Sequence, residues 1–112
     1  MVVWEVEDYL EEADQLFQDG ERMIVREPVE GLKRFQQGVT YLLQGYLVSQ
    51  DGEPGSDLKA VFEQCKQLEP EFESIEGELD YFFMPQLAEV DSEIVCDAAN
   101  EIWDFVIGLI PE

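Results

Sequence analysis

Residues 31–50 read GLKRFQQGVTYLLQGYLVSQ and carry the most informative pattern in the chain. Their apolar residues recur three and four positions apart, which places them on one face of an α-helix. Pro28 suits the first turn of this helix, and the polar DGEPG segment at 51–55 (the 51–55 turn) is expected to end it. The inward residues are Leu32, Phe35, Val39, Leu42, Leu43, Tyr46 and Leu47.

The same spacing predicts a helix on each side of this stretch. The first has Gly20 as its expected C-terminal stop. The third is expected to be capped by Ser56. Inward residues of the first are Val3, Val6, Leu10, Ala13 and Phe17, and those of the third are Leu58, Val61, Phe62, Cys65 and Leu68.

Two more helical segments follow Pro70. A shorter one is broken by Pro85, and the last starts at Asp91 or Ser92 and ends near Gly108 and Pro111. Their inward residues are Phe72, Ile75, Leu79 and Phe82, then Val95, Ala98, Ala99, Ile102, Phe105, Val106 and Leu109. No segment alternates with period two. We therefore expect one all-α domain over residues 1–112, an antiparallel up-and-down four-helix bundle with an additional short helix before the last helix.

The charge of the chain limits its partners. Six basic residues against 27 acidic ones give a net charge of −21. Such a field repels nucleic acid and anionic membranes, so neither is an expected partner. The first dozen residues contain acids and no base, unlike a signal peptide, so we expect a cytoplasmic protein. The acids either form a solvated surface, as in salt adaptation, or attract a basic partner.

The second helix departs from this acidity. No acid occurs from Gly31 to Gln50, although an even spread would place about five there (27 × 20/112). Three glycines recur every seven residues, a spacing that keeps them within about 20° of one line on a helix. Either another helix of the same chain or a second subunit approaches this line. The candidate homodimer interface comprises Gly31, Arg34, Gln37, Gly38, Tyr41, Gln44, Gly45 and Val48.

The stretch RFQQGVTYLLQGYLVSQDGEPGSDLKAVFEQCKQLEPEF at residues 34–72 resembles the core of HEPN domains (higher eukaryotes and prokaryotes nucleotide-binding). It also resembles the substrate-binding proteins that accompany small nucleotidyltransferases. AANEIWDFVIGLI at residues 98–110 is similar to the family's last helix. The resemblance implies a helical bundle that dimerises or binds a protein partner such as a nucleotidyltransferase.

The chain departs from the catalytic members of that family. Members often have an HDL-like triplet where this chain has SDL, and ribonuclease members use an arginine followed by a histidine near the last helix. Here residues 82–94 read FFMPQLAEVDSEI, no arginine follows Arg34, and the chain has no histidine. The groups that RNA cleavage requires are missing, so no catalytic residue and no cofactor are expected.

Other chemistry has weaker support in the sequence. Cys65 and Cys96 are expected to be buried free thiols. The carboxylates of Glu5, Asp8 and Glu12 share a helical face and could in principle hold a hard cation, but a solvated face is the simpler interpretation. A basic cluster is a candidate anion site unless its members pair with neighbouring acids; it comprises Arg22, Arg26, Lys33 and Arg34.

Three classes of function remain open at this point. The first is a non-catalytic, HEPN-like interaction module that dimerises or binds a protein. The second is a small-molecule or nucleotide-binding domain that uses the basic cluster. The third is an enzyme of another type, for which the sequence offers no constellation of residues.

The excess of acids predicts that salt stabilises the protein. Crowded carboxylates repel within the fold, and counterions screen that repulsion. The melting temperature should rise between roughly 10 mM and 0.3 M NaCl, a range over which the screening length falls from about 30 Å to below 8 Å. A flat or falling melting temperature in calorimetry would mean that the acids do not repel appreciably.

Overall fold

The computed structural model of the chain describes residues 4–83 and 92–110. It contains α1 (Val6–Met23), α2 (Pro28–Ser49), α3 (Leu58–Leu68), α4 (Glu76–Phe83) and α5 (Ser92–Leu109), with a 3₁₀ turn over Pro70–Ile75. The described residues include no β-strand, so the predicted all-α class is confirmed. The short helix expected before the last one is α4. Predictions at Val3, Pro85, Asp91 and Pro111 lie outside the described residues.

Local sequence accounts for most helix ends. At α1 a capping box forms: the Glu5 backbone N–H donates to the Asp8 carboxylate over 2.8 Å, and the Glu5 carboxylate accepts from the Asp8 backbone N–H. Helix α2 begins at Pro28, as predicted, and ends before Asp51, whose φ of 60° turns the chain away. The Gly52 N–H then donates to the Leu47 carbonyl over 2.8 Å.

The predicted cap of α3 is wrong by one residue. Asp57, not Ser56, is the N-cap, and its carboxylate accepts the Ala60 backbone N–H over 3.2 Å. A carboxylate also interacts favourably with the positive end of the helix dipole, which a neutral hydroxyl does only weakly. Ser56 is left exposed beside the helix start.

The predicted stop of α1 at Gly20 is also wrong. The helix continues to Met23, and the Ile24 N–H donates to the Gly20 carbonyl over 2.8 Å. Gly20 is a packing position, because a Cβ added there would lie 2.9 Å from two ring carbons of Phe35. The glycine therefore allows α2 to approach α1 and does not terminate the helix.

The three glycines of α2 face α1. An added Cβ at Gly31 would lie 2.6 Å from the Ile24 Cα, and one at Gly38 would lie 2.5 Å from Cδ1 of Phe17. At Gly45 the added atom would lie 3.0 Å from the Tyr9 Cβ. The residue numbers of the contacts therefore decrease along α1 as they increase along α2, which means that the two helices run antiparallel. Of the two alternatives for the glycine line, the structure shows packing within the chain.

The core forms around α2, which contacts each of the other four α-helices. Its centre is aromatic: Phe72 lies edge-on to Tyr46 with ring centroids 4.9 Å apart, and Phe17 packs on Phe35 at 5.7 Å. No polar or charged residue of the described ranges is buried. Most predicted inward residues are buried, whereas Leu68 at the end of α3 is 53% exposed. Among the described residues, no helix is both long and apolar enough to span a membrane.

The glycine contacts predict opposite effects of two glycine-to-alanine substitutions. Gly31→Ala drives a methyl group into the backbone of Ile24, so it should lower the free energy of unfolding by about 1–3 kcal/mol. Gly77→Ala is the matched control, because no described heavy atom lies within 4 Å of the added Cβ. It should be neutral or stabilising by up to about 1 kcal/mol. Urea denaturation measures both, and equal effects at the two sites would contradict this packing.

Candidate functional site

Five of the eight predicted interface residues lie on one solvent-facing side of α2, which we call the outer face: Arg34, Gln37, Tyr41, Gln44 and Val48. Gln37 is exposed and the other four are partly exposed. The remaining three, Gly31, Gly38 and Gly45, are buried under α1. Their predicted role in a subunit contact is therefore wrong, because α1 already occupies the space that a second chain would need.

An aromatic cluster borders the outer face on the α1 side. The Trp4 indole stacks on the Tyr41 ring with centroids 5.5 Å apart and an angle of 23° between the planes. Tyr9 lies edge-on to Trp4 at 5.2 Å. Trp4 is nonetheless 37% exposed. The cluster therefore presents aromatic surface to solvent directly beside the neutral face of α2.

A surface depression of about 440 Å³, largely open to solvent, lies at the C-terminal end of this face, and we call it the Trp4–Val48 cavity. Its lining consists of Trp4, Glu5, Val6, Glu7 and Val48. The lining thus combines apolar side chains, from Trp4, Val6 and Val48, with two acidic ones, Glu5 and Glu7. Such a lining suits a cationic group carried on an apolar stem.

A polar groove borders the other side of the outer face. It has a volume of about 410 Å³ and is lined by Gln36, Gln37, Thr40, Tyr41, Gln44 and Ser56. Amides and hydroxyls dominate this lining, and it contains no carboxylate and no ammonium or guanidinium group. The groove can form hydrogen bonds, but it offers no strong general base and no fixed charge for catalysis.

Two glutamines of α2 fix the walls of this groove. The Gln36 side-chain amide donates to the Phe82 carbonyl over 2.6 Å, and the Gln44 amide donates to the Gly55 carbonyl over 2.7 Å. In the 51–55 turn, Gly55 N–H donates to the Gln64 side chain over 2.9 Å, and the Gln64 amide donates to the Glu53 carbonyl over 3.0 Å. Gln44 therefore supports the turn as well as lying on the outer face.

The basic cluster is partly neutralised by neighbouring acids. Arg22 forms an ion pair with Asp19, and Lys33 pairs with Glu30 at 3.5 Å. These contacts favour the interpretation that bases pair with acids over the candidate anion site. No ion pair within the described ranges involves Arg26 or Arg34. Arg34 lies on the outer face, so it is available to a group that approaches α2.

The remaining titratable side chains do not form a reactive site. Within residues 4–83 and 92–110 no three metal-binding side chains come together, and the carboxylates of Glu5 and Asp8 both cap α1. Both cysteines are free. Burial raises the pKa of the Cys65 thiol to about 12, and this thiol points to the Leu43 carbonyl over 3.8 Å. Cys96 is only partly buried, so the prediction of two buried thiols holds for Cys65 alone.

One acidic contact was not predicted from the sequence. The Glu101 carboxyl of α5 shares a hydrogen bond with the Glu78 carboxyl of α4, and this bond, followed by repulsion from Glu78, raises the pKa of Glu101. The two residues are far apart in the chain, and the packing of α4 on α5 brings them together. No periodicity in either helix could have indicated this pair.

The Glu78–Glu101 contact predicts a pH-dependent stability. A pKa that is raised in the folded state means that folding takes up a proton, so the contribution to stability is complete below the ordinary pKa of glutamate. This contribution to stability is lost as the pH rises through the raised pKa of Glu101. Glu101→Gln removes the repulsion that remains at neutral pH and keeps a hydrogen-bond donor for Glu78.

Glu101→Gln should therefore raise the melting temperature more at pH 7 than at pH 4. The matched control is Glu12→Gln, which removes one exposed charge from α1. Calorimetry at the two pH values measures both variants. If the two variants give the same shift at both pH values, the carboxyl pair does not contribute to stability.

Comparison with known proteins identifies no relative. No protein-family model, no curated protein and no solved structure matches the chain. The outer face of α2 is the surface on which neutral, aromatic and cationic groups coincide.

Proposed function

We propose that the chain is a non-catalytic interaction module that forms a homodimer through the outer face of α2. The observation that carries the proposal is the exposed Trp4–Tyr41 stack beside a helix face without carboxylates, in a chain of net charge −21. Aromatic and arginine side chains are enriched in protein–protein interfaces, whereas acidic side chains are depleted there. Arg34, Tyr41 and Trp4 fit that composition.

Electrostatics support the choice of this face. Two copies of the chain repel each other wherever their carboxylates meet, and opposed like charges in an interface cost several kcal/mol. Helix α2 has no acid from Gly31 to Gln50, so its outer face brings no carboxylate of its own into such a contact. The exposed sides of α1 and α5 both carry carboxylates, among them Glu11 and Asp97.

The proposal includes the arrangement of the helices and the family. We place the chain among divergent HEPN-like bundles, with an up-and-down order of four main helices. Support comes from the antiparallel packing of α1 on α2 and from the contacts of α2 with α3 and α5. A nucleotidyltransferase is the protein partner that this family resemblance suggests for such a dimer.

The oligomeric state tests the proposed function. Sedimentation velocity of the full chain in about 0.15 M salt, where the screening length is about 8 Å, should show a concentration-dependent dimer. Gln37→Glu places a carboxylate on the exposed part of the outer face and should weaken the dimer at least about tenfold. Tyr41→Glu should do the same at the centre of the face.

The matched control is Gln67→Glu, which adds the same charge at an exposed position of α3. It should leave the dissociation constant within about twofold of wild type, since distant sites behave independently. Circular dichroism verifies that each variant is folded. A wild-type chain that stays monomeric up to millimolar concentration, or a dimer that Gln37→Glu and Tyr41→Glu leave intact, would refute the proposal.

A further inference from the structure

We infer that the two copies pack with their α2 helices antiparallel about Tyr41, and that Arg34 of each copy enters the Trp4–Val48 cavity of the other. This inference rests on the proposed homodimer and specifies its geometry. The occupant of the outer face is a second copy of this chain.

The geometry of the pair follows from the positions of three residues along α2. Arg34, Tyr41 and Val48 are seven positions apart, so they follow one line along α2 within about 20° per step. Each step advances about 10.5 Å along the helix axis. When two such helices cross antiparallel at Tyr41, Arg34 of one lies opposite Val48 of the other. A twofold axis through the crossing point at Tyr41 repeats the Arg34–Val48 contact on the other side, as a closed symmetric dimer requires.

The chemistry of the cavity fits an arginine. Val6 and Val48 provide apolar walls for the methylene groups, and Glu5 and Glu7 add acidic side chains to the lining, of which the Glu5 carboxylate also caps α1. The Trp4 indole adds a ring face, and arginine is the cation that most often stacks on such rings. Glu7 is exposed in the single chain, so its carboxylate is accessible to an incoming group.

The charges of Arg34 and of the start of α1 disfavour the parallel alternative. In a parallel pair, Arg34 would oppose Arg34 of the second copy, and the Glu5 and Glu7 carboxylates of the two copies would approach each other. In the antiparallel pair, Arg34 of each α2 faces the acidic start of α1 in the other copy, whereas Lys33 is paired with Glu30 of its own helix. Opposed like charges cost several kcal/mol, whereas the antiparallel arrangement turns both contacts into attractions.

The centre of the interface fits the same register. Position 37 of one helix lies opposite position 45 of the other, so Gln37 lies beside Gln44 of the second copy. Two side-chain amides can then exchange hydrogen bonds, since each has both donors and an acceptor. Tyr41 meets its symmetry mate on the axis, with Trp4 stacked behind it. No residue named at the centre of this interface carries a carboxylate.

Directed cross-linking tests the orientation. Single cysteines are introduced as Arg34→Cys or Val48→Cys in a Cys96→Ser background, with Cys65 retained because it is buried. A bismaleimide of about 10 Å span suits the usual 8–10 Å separation of packed helices. A mixture of the two variants should yield the cross-linked heterodimer, and neither variant alone should cross-link. At concentrations where sedimentation shows the variants and their mixture to be dimeric, self-cross-linking of Val48→Cys, or no cross-linking of the mixture, would overturn the antiparallel arrangement.

Charge exchange tests the cavity itself. Arg34→Glu should raise the dimer dissociation constant at least tenfold, and Glu7→Arg should weaken the dimer as well. The double variant Arg34→Glu with Glu7→Arg should recover most of the lost affinity, because each copy again offers opposite charges to the other. Absence of recovery, with all variants folded by circular dichroism, would overturn the assignment of Arg34 to this cavity.

These outcomes separate the two proposals. If the wild-type chain is monomeric in sedimentation, the homodimer itself fails. If the chain is dimeric and Gln37→Glu dissociates it, but the Arg34–Val48 mixture does not cross-link, only the antiparallel register fails. A dimer with the predicted cross-link but without charge recovery would retain the register and reject the arginine contact.

Discussion

The close approach of α1 and α2 at Gly31, Gly38 and Gly45 positions the other helices. At each glycine, an atom of α1 or of the residue that follows it occupies the space that a methyl group would need. At Gly31 that atom belongs to the backbone of Ile24. Helices this close bring their side chains into dense contact, which strengthens dispersion and excludes water. Gly20 repeats the arrangement from the α1 side, where the Phe35 ring occupies the space. The α1–α2 pair then forms the surface on which α5 packs, through the contact of Trp103 with Phe17.

This contact also determines which part of α2 meets solvent. With α1 on the glycine line and α3, α4 and α5 on the apolar face, the strip from Arg34 through Tyr41 to Val48 and its glutamine side stay accessible, as does the exposed first turn of α2. The aromatic cluster follows from the same packing, because Tyr9 rests against Gly45 and the chain before α1 carries Trp4 onto Tyr41. The candidate surface is therefore a consequence of the helix pair and not a separate element added to it.

The sequence predicted the helices and the core because both depend on local periodicity. Leu42, Phe62 and Ile102 are fully buried, as their spacing indicated. The errors occurred where a residue type has two roles. Gly20 could stop a helix or admit a neighbour, and only the tertiary contact with Phe35 decides between them. The outer face could be predicted in part, since its neutrality is visible in the sequence. Trp4 and the Glu78–Glu101 pair could not, because they depend on contacts between separate segments.

The absence of acids from residues 31–50, beyond Glu30 in the first turn of α2, has two causes in the fold. Buried positions such as Leu42 exclude charge because of the cost of desolvation. Gln36 and Gln44 need amide donors for the carbonyls of Phe82 and Gly55, which carboxylates would repel. Gln37 and Arg34 meet neither condition: both reach solvent, where a glutamate would be compatible with the helix. In a chain of net charge −21, internal packing does not require these two positions to be free of acids, and the proposed contact with a second copy of the chain would account for it.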